Sequence, residues 1–194
     1  MLRVAVTGNI GTGKTSVCKV FESLGIAIYY ADREAKKLYG MPSVMQAVKN
    51  LLGNDVYTDE GKVDAFHIAD IVFRDAQKLE RLNALIHPLV LDDYMEWSAA
   101  HRNESYTIYE SALLFESGFY KHFEHSVLVT APIELCMKRV LTRDGMNEND
   151  FRSRLSKQMD QSKKSELADH IISNDEQTPL IPRIIELHNI FLAG

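Results

Sequence analysis

Two cysteines, five prolines and one tryptophan are all that 194 residues contain of those types, and no long apolar run accompanies them. Each shortage excludes something. Cys18 and Cys136 are too few for a disulfide scaffold; both lie among apolar neighbours on helix-patterned segments and are expected as buried free thiols in a reducing compartment. No run approaches membrane-spanning length. The first residues enter a strand-like run without the basic, apolar and cleavage regions of a secretory leader, so a cytoplasmic protein is expected. Basic residues are also in deficit: 22 Lys and Arg against 27 Asp and Glu give a net charge of −5, which argues against a general nucleic-acid binder. Neither membrane nor nucleic acid is expected as a partner, and any polyanionic ligand must meet local cations. The guanine-reading pattern N-K-x-D is missing too, since Asn50 precedes Leu51 and Asn54 precedes Asp55. That counts against a GTP-dependent switch.

What is present is the stretch AVTGNIGTGKTS, residues 5–16, where Gly8, four residues and Gly13-Lys14-Thr15 form G-x-x-x-x-G-K-[ST]. Leu2–Val6 before it is apolar and β-branched, fit for a strand buried on both faces. After Lys14, Val17, Val20, Phe21 and Leu24 recur at helical spacing. Strand, glycine-rich turn and helix is the order that a phosphate-binding loop requires. Gly8, Gly11 and Gly13 free the backbone to aim its N–H groups inward, and the helix start adds unpaired N–H groups and a positive dipole end. Lys14 is expected to reach the β- and γ-phosphates of a nucleotide, and the Thr15 hydroxyl to ligate Mg²⁺.

The apolar content of 45% supplies one sizeable core. Strand-like runs at 2–6, 26–31, about 106–114, about 125–131 and in HIISN alternate with helical segments. This predicts an α/β fold: a five-stranded, mostly parallel sheet flanked by helices. REAKKLYG reads as a short helix stopping at Gly40, and SVMQAVKNLLG as a helix with Ser43 as N-cap. From Asp64 to His101 the pattern is helical, with a break or kink at Pro88. Further helices are expected at 132–145, after an Asn147 cap, and at 178–192. A single domain follows, with core 1–57 and 105–194, a helical insertion at about 58–104 to grip a second substrate, and a mobile lid at about 140–165.

Ligands of such sheets bind beyond the carboxyl ends of the strands. Asp32 falls there, after the second strand. It fits a group that positions or deprotonates an attacking hydroxyl, or holds Mg²⁺ through water; it equally fits the N-cap of REAKKLYG. Arg139 and Arg143 share one helix face, suited to the charge of a migrating phosphoryl group or, as the plainer alternative, to a solvated basic helix end. Arg74, Arg81, Lys121, Lys163 and Lys164 are candidate anion contacts, each more simply read as solvated surface.

With these pieces in order, the chain resembles the dephospho-coenzyme A kinases from residue 3 to about residue 175. TGNIGTGKTSV, GIAIYYADREAKKLY, LNALIHPLV, ALLFESGFY, VLVTAPIELCMKRVLTRD and KQMDQSKKSELADHIISN carry the resemblance. It implies a P-loop nucleotide-kinase core with a helical CoA-binding insertion and a lid, and transfer of the ATP γ-phosphoryl group to the 3′-hydroxyl of dephospho-CoA with Mg²⁺. It also implies that Gly11, Thr12, Gly13, Lys14, Thr15 and Ser16 bind ATP phosphates and that Asp32 is the catalytic base. Arg139 and Arg143 fall on lid-side basic positions, and His87 in the HP motif, as a substrate contact or a packed histidine beside Pro88. Asn9, Thr12 and Thr15 stand where the family usually has Gly, Ser and Ser; Tyr30 replaces an Asp and Ala112 a Pro. None of these removes an indispensable group. A small-molecule kinase for a nucleoside, nucleotide or shikimate-like alcohol is the alternative.

Overall fold

The computed structural model describes residues 1–194, the side chain of Phe73 excepted. Strand β1 (Leu2–Thr7) leads through the glycine-rich turn into α1 (Lys14–Ser23), followed by β2 (Ile28–Tyr30), α2 (Ala31–Leu38), α3 (Pro42–Leu52), α4 (Ala65–Arg74) and α5 (Ala76–Ala100). Then come β3 (Tyr106–Glu110), β4 (His125–Thr130), α6 (Ile133–Asp144), α7 (Glu148–Leu155), α8 (Gln161–Leu167), β5 (His170–Ser173) and α9 (Leu180–Ala193). The strands form a five-stranded sheet in the order β2-β3-β1-β4-β5, with every pair parallel.

Two compact units emerge: Met1–Tyr30 with Trp97–Gly194, which holds the sheet, and the helical Ala31–Glu96. In the sheet unit, β1 is central, and Val4, Ala5 and Val6 are fully buried as their unbroken apolar run requires. One sheet face packs on α1 and α9, where Val17, Cys18 and Phe21 meet Ile184, Leu187 and Phe191 around Val4, Val6, Ile108 and Val127. A smaller cluster of Cys136, Val140 and Phe151, with Ile10 and Leu155 against it, joins α6, α7 and the glycine-rich turn. In the helical unit, α3 buries Val44, Val48 and Leu52, one residue per turn on one face.

The five strands and their order along the chain agree with the pattern of the sequence; several ends do not. Strand β2 stops at Tyr30 because Ala31 already begins α2. Asp32 is therefore the second residue of that helix and not its N-cap, where its carboxylate still favours the positive helix end. Helix α3 starts at Pro42 with Met41 as its cap, not at Ser43, because proline at the first helical position lacks only an N–H that has no helical partner there. Strand β3 ends at Glu110, and the following apolar residues form a turn. Helix α5 runs through Pro88 unbroken. Leu82, Ile86, Val90 and Tyr94, buried at four-residue spacing on both sides, outweigh one lost rung. Helix α8, capped by the Asp160 carboxylate accepting from Ser162 N, was not anticipated.

Candidate active site

The glycine-rich turn sits at the carboxyl end of the central strand β1, between the neighbouring strands β3 and β4 that lie on its two sides. Its conformation explains its composition. Gly11 has φ +82°, and a Cβ there would lie 2.5 Å from the Cys136 carbonyl oxygen. Gly13, which caps α1 with φ +91°, would drive a Cβ into Asn174 Nδ2. Both positions demand a left-handed backbone and no side chain. Helical bonding starts at Ser16 N, which donates to Gly13 O at 3.0 Å, so the N–H groups of Lys14 and Thr15 precede the ladder. They and the positive dipole end of α1 suit a negatively charged group.

The buried Thr12 hydroxyl holds the turn closed by donating to Asn9 O at 2.9 Å. Asn174, after β5, donates from Nδ2 to Thr12 O at 2.8 Å and from its backbone to Thr130 O. Lys14 Nζ donates to Gly8 O at 2.9 Å and lies 3.9 Å from Glu110 Oε1, with both side chains about nine-tenths buried. Thr15 and Ser16 are exposed on the first turn of α1. Arg139 donates from Nη2 to Asn174 O and pairs with Glu176 Oε1, both at 3.0 Å. Its Nη1 is buried without a hydrogen-bond partner, 3.8 Å from where a Gly13 Cβ would stand. A buried guanidinium N–H without an acceptor is costly, and this one lies against an anion-binding helix start. Glu176 itself has φ +64°, the one non-glycine residue with positive φ among the described residues. Such strain gathers where a side chain must be aimed. Beside the turn opens a cavity of about 810 Å³ lined by Asn9, Ile10, Cys136, Phe151 and Gln158.

The structure thus gathers Gly8, Gly11, Thr12, Gly13, Lys14, Thr15, Ser16 and Arg139. Arg143, one turn on, is exposed at the end of α6 and makes two 2.7 Å bonds to Asp144, which raise its pKa further. In the helical unit, Asp32 is exposed and His87 half-buried. Burial pushes the His87 pKa down, and the carboxylate of Asp32 opposes this. Sequence reasoning passed over Glu110 and Asn174, although an acid ending an apolar strand and a polar residue after one are both readable signals. It placed Lys164 in solvent, and the opposite holds. Lys164 is fully buried, 2.9 Å from Glu116 Oε1 and 3.0 Å from Ala112 O. Arg74 does lie on the surface, paired with Asp70. Cys18 and Cys136 are buried free thiols, and burial pushes both pKa values up. They are inert as nucleophiles.

The chain around this loop is similar to known proteins. The family model described as dephospho-CoA kinase matches residues 2–179. The chain belongs to the dephospho-CoA kinase family. A dephospho-CoA kinase of Bacteroides fragilis is 33% identical over 96% of this chain and 91% of its own length. One of Aquifex aeolicus is 36% identical over 90% and 89%. A solved structure from Thermus thermophilus superposes with a TM-score of 0.82 at 27% identity, covering 99% of this chain and 96% of that one. Membership makes the chain an ATP-dependent kinase on a P-loop kinase fold.

Proposed function

We propose that the protein transfers the γ-phosphoryl group of ATP to the 3′-hydroxyl of dephospho-CoA, giving coenzyme A and ADP. The observation that carries this reading is the family match over residues 2–179, on a chain that brings Lys14 and an unbonded Nη1 of Arg139 to the glycine-rich turn. The loop N–H groups and Lys14 hold the β- and γ-phosphates, and the free Nη1 of Arg139 meets the oxygens that gain charge during transfer. Arg143 joins from the lid, residues 140–165, by leaving Asp144. The Asp32 carboxylate orients the acceptor hydroxyl and takes its proton as the 3′-oxygen bonds to the γ-phosphorus. The bond from that phosphorus to the β–γ bridging oxygen breaks, and ADP leaves with the electron pair. The helical unit, with His87, holds the acceptor.

Mg²⁺ fits the donor set, since Thr15 offers an exposed hydroxyl oxygen and Glu110 a carboxylate beside Lys14, both hard ligands. When bound with ATP it neutralises phosphate charge. We place the reaction in the cytoplasm, in keeping with the two buried free thiols; no helix of the described residues is long and apolar enough to cross a membrane.

The test is ADP release from ATP-Mg²⁺ with dephospho-CoA, adenosine, AMP or shikimate as acceptor. Stimulation by dephospho-CoA alone, with a product one phosphate heavier, is expected. Stimulation by another acceptor would move the assignment to that alcohol.

A further inference from the structure

Lys164 has no exposed surface, yet it carries an ammonium group. Its partners are Glu116 Oε1 at 2.9 Å and the Ala112 carbonyl at 3.0 Å, both in the turn that follows β3. The same Glu116 Oε1 accepts from Met159 N at 2.7 Å. Met159 and its neighbour Gln158 lie between α7 and α8, and both reach the glycine-rich loop. Ile10 N donates to Gln158 Oε1 at 2.9 Å, and Asn9 Nδ2 donates to Met159 O at 3.2 Å. Residues 158 and 159 therefore form a strap across the loop between Gly8 and Gly11, and the buried ion pair holds the strap from behind. Every group in this chain of contacts lies in the sheet unit.

Burying an ammonium and a carboxylate recovers little net stability relative to apolar side chains of the same volume. What the pair supplies is geometry, because Glu116 must stay in one place to receive both Lys164 and Met159 N. The loop it reaches must hold its N–H groups to a fraction of an ångström, and a displacement of about 1 Å in such a site costs on the order of 100-fold in rate. Resting on the kinase reading above, we propose that Glu116 and Lys164 are positioning residues for the nucleotide: through the Gln158–Met159 strap, they fix Asn9 and Ile10 of the phosphate loop.

The test measures ADP binding by calorimetry, together with kcat and separate KM values for ATP and dephospho-CoA. Glu116→Ala is expected to raise the ADP Kd and the ATP KM about tenfold while KM for dephospho-CoA stays within twofold. Glu116→Gln, which keeps an acceptor for Met159 N, should restore binding to within about threefold of wild type. Gln158→Ala, at the half-buried outer end of the strap, should reproduce the ADP effect with little change in melting temperature. If Lys164→Met fails to fold, the Glu116 and Gln158 variants still decide. Folded Glu116→Ala and Gln158→Ala proteins that bind ADP within twofold of wild type would overturn the proposal. Failure of the wild type to phosphorylate dephospho-CoA would sink the acceptor assignment and leave the ADP result standing.

Discussion

Lys14 Nζ lies 3.9 Å from Glu110 Oε1, and the two side chains are only 12% and 9% exposed. The pair is half dismantled in advance, since Lys14 also spends a proton on Gly8 O at 2.9 Å. A nucleotide phosphate can take the ammonium from the carbonyl while Glu110 keeps its charge nearby. Lys14→Ala should lower kcat by about 100-fold or more and weaken ADP binding, because charge stabilisation and phosphate anchoring go together. Glu110→Gln should lower kcat by about tenfold or more and leave ADP affinity within a few-fold. Steady-state kinetics with ADP calorimetry separates the two; unchanged kinetics in Lys14→Ala would remove the phosphate loop from the mechanism.

Asp32 separates binding from chemistry. As the base, it touches the acceptor and not ATP, so Asp32→Asn should cut kcat by about 100-fold or more while the ADP Kd is unchanged. As a mere favourable charge in the first turn of α2, its loss would cost a few tenths of a kcal/mol, up to about 1 kcal/mol, and leave turnover near normal. Kinetics and thermal melting on the same preparation decide between the two.

The histidine pair at the amino ends of β4 and β5 is expected to make stability depend on pH. His170 Nε2 lies 3.3 Å from His125 Nδ1, and both rings pack on Phe191. Burial, and after it the charge of His125 and of Arg183, holds His170 below its ordinary 6.5; Asp169 and Glu186 oppose this. As pH falls, the unfolded chain therefore takes up this proton first, so stability is full above about pH 6.5 and erodes as pH drops toward the folded value. Melting temperature should fall between about pH 7.5 and 5.5, and His170→Phe should flatten that slope by roughly 2 °C or more. Equal slopes in the two proteins would exclude the pair as the cause.

Much of the site was legible because its chemistry is local. The G-x-x-x-x-G-K-T spacing places strand, turn and helix in one continuous run from Leu2 to Ser23, and Gly11 and Gly13 are glycines for reasons that their φ values of +82° and +91° make plain. What escaped depends on tertiary neighbours. The partner that forbids a side chain at Gly13 is Asn174, 161 positions away in the numbering (174 − 13). Lys164 looks like surface in a polar stretch of sequence, and only the turn after β3 makes it a buried cation. Helix starts shifted by a residue or two, as where α2 begins at Ala31 ahead of Asp32 and α3 at Pro42 ahead of Ser43.

The two arginines of α6 should not weigh equally. Arg139 already spans Asn174 O and Glu176 while its Nη1 stays buried and unbonded near Gly13. Arg143 is bonded twice to Asp144, with two-thirds of its side chain exposed, and must exchange a solvated partner for phosphate. Exposed pairs contribute at most about 1 kcal/mol, so that exchange is cheap but gains Arg143 no head start in placement. Arg139→Ala should therefore lower kcat/KM for ATP by about 100-fold or more, and Arg143→Ala by about tenfold. Asp144→Asn, which frees Arg143, should leave kcat/KM unchanged or slightly raised. Equal losses in the two alanine variants would mean that the lid arginine is positioned as tightly as the loop arginine when ATP is bound, and that its pairing with Asp144 is given up entirely on closure.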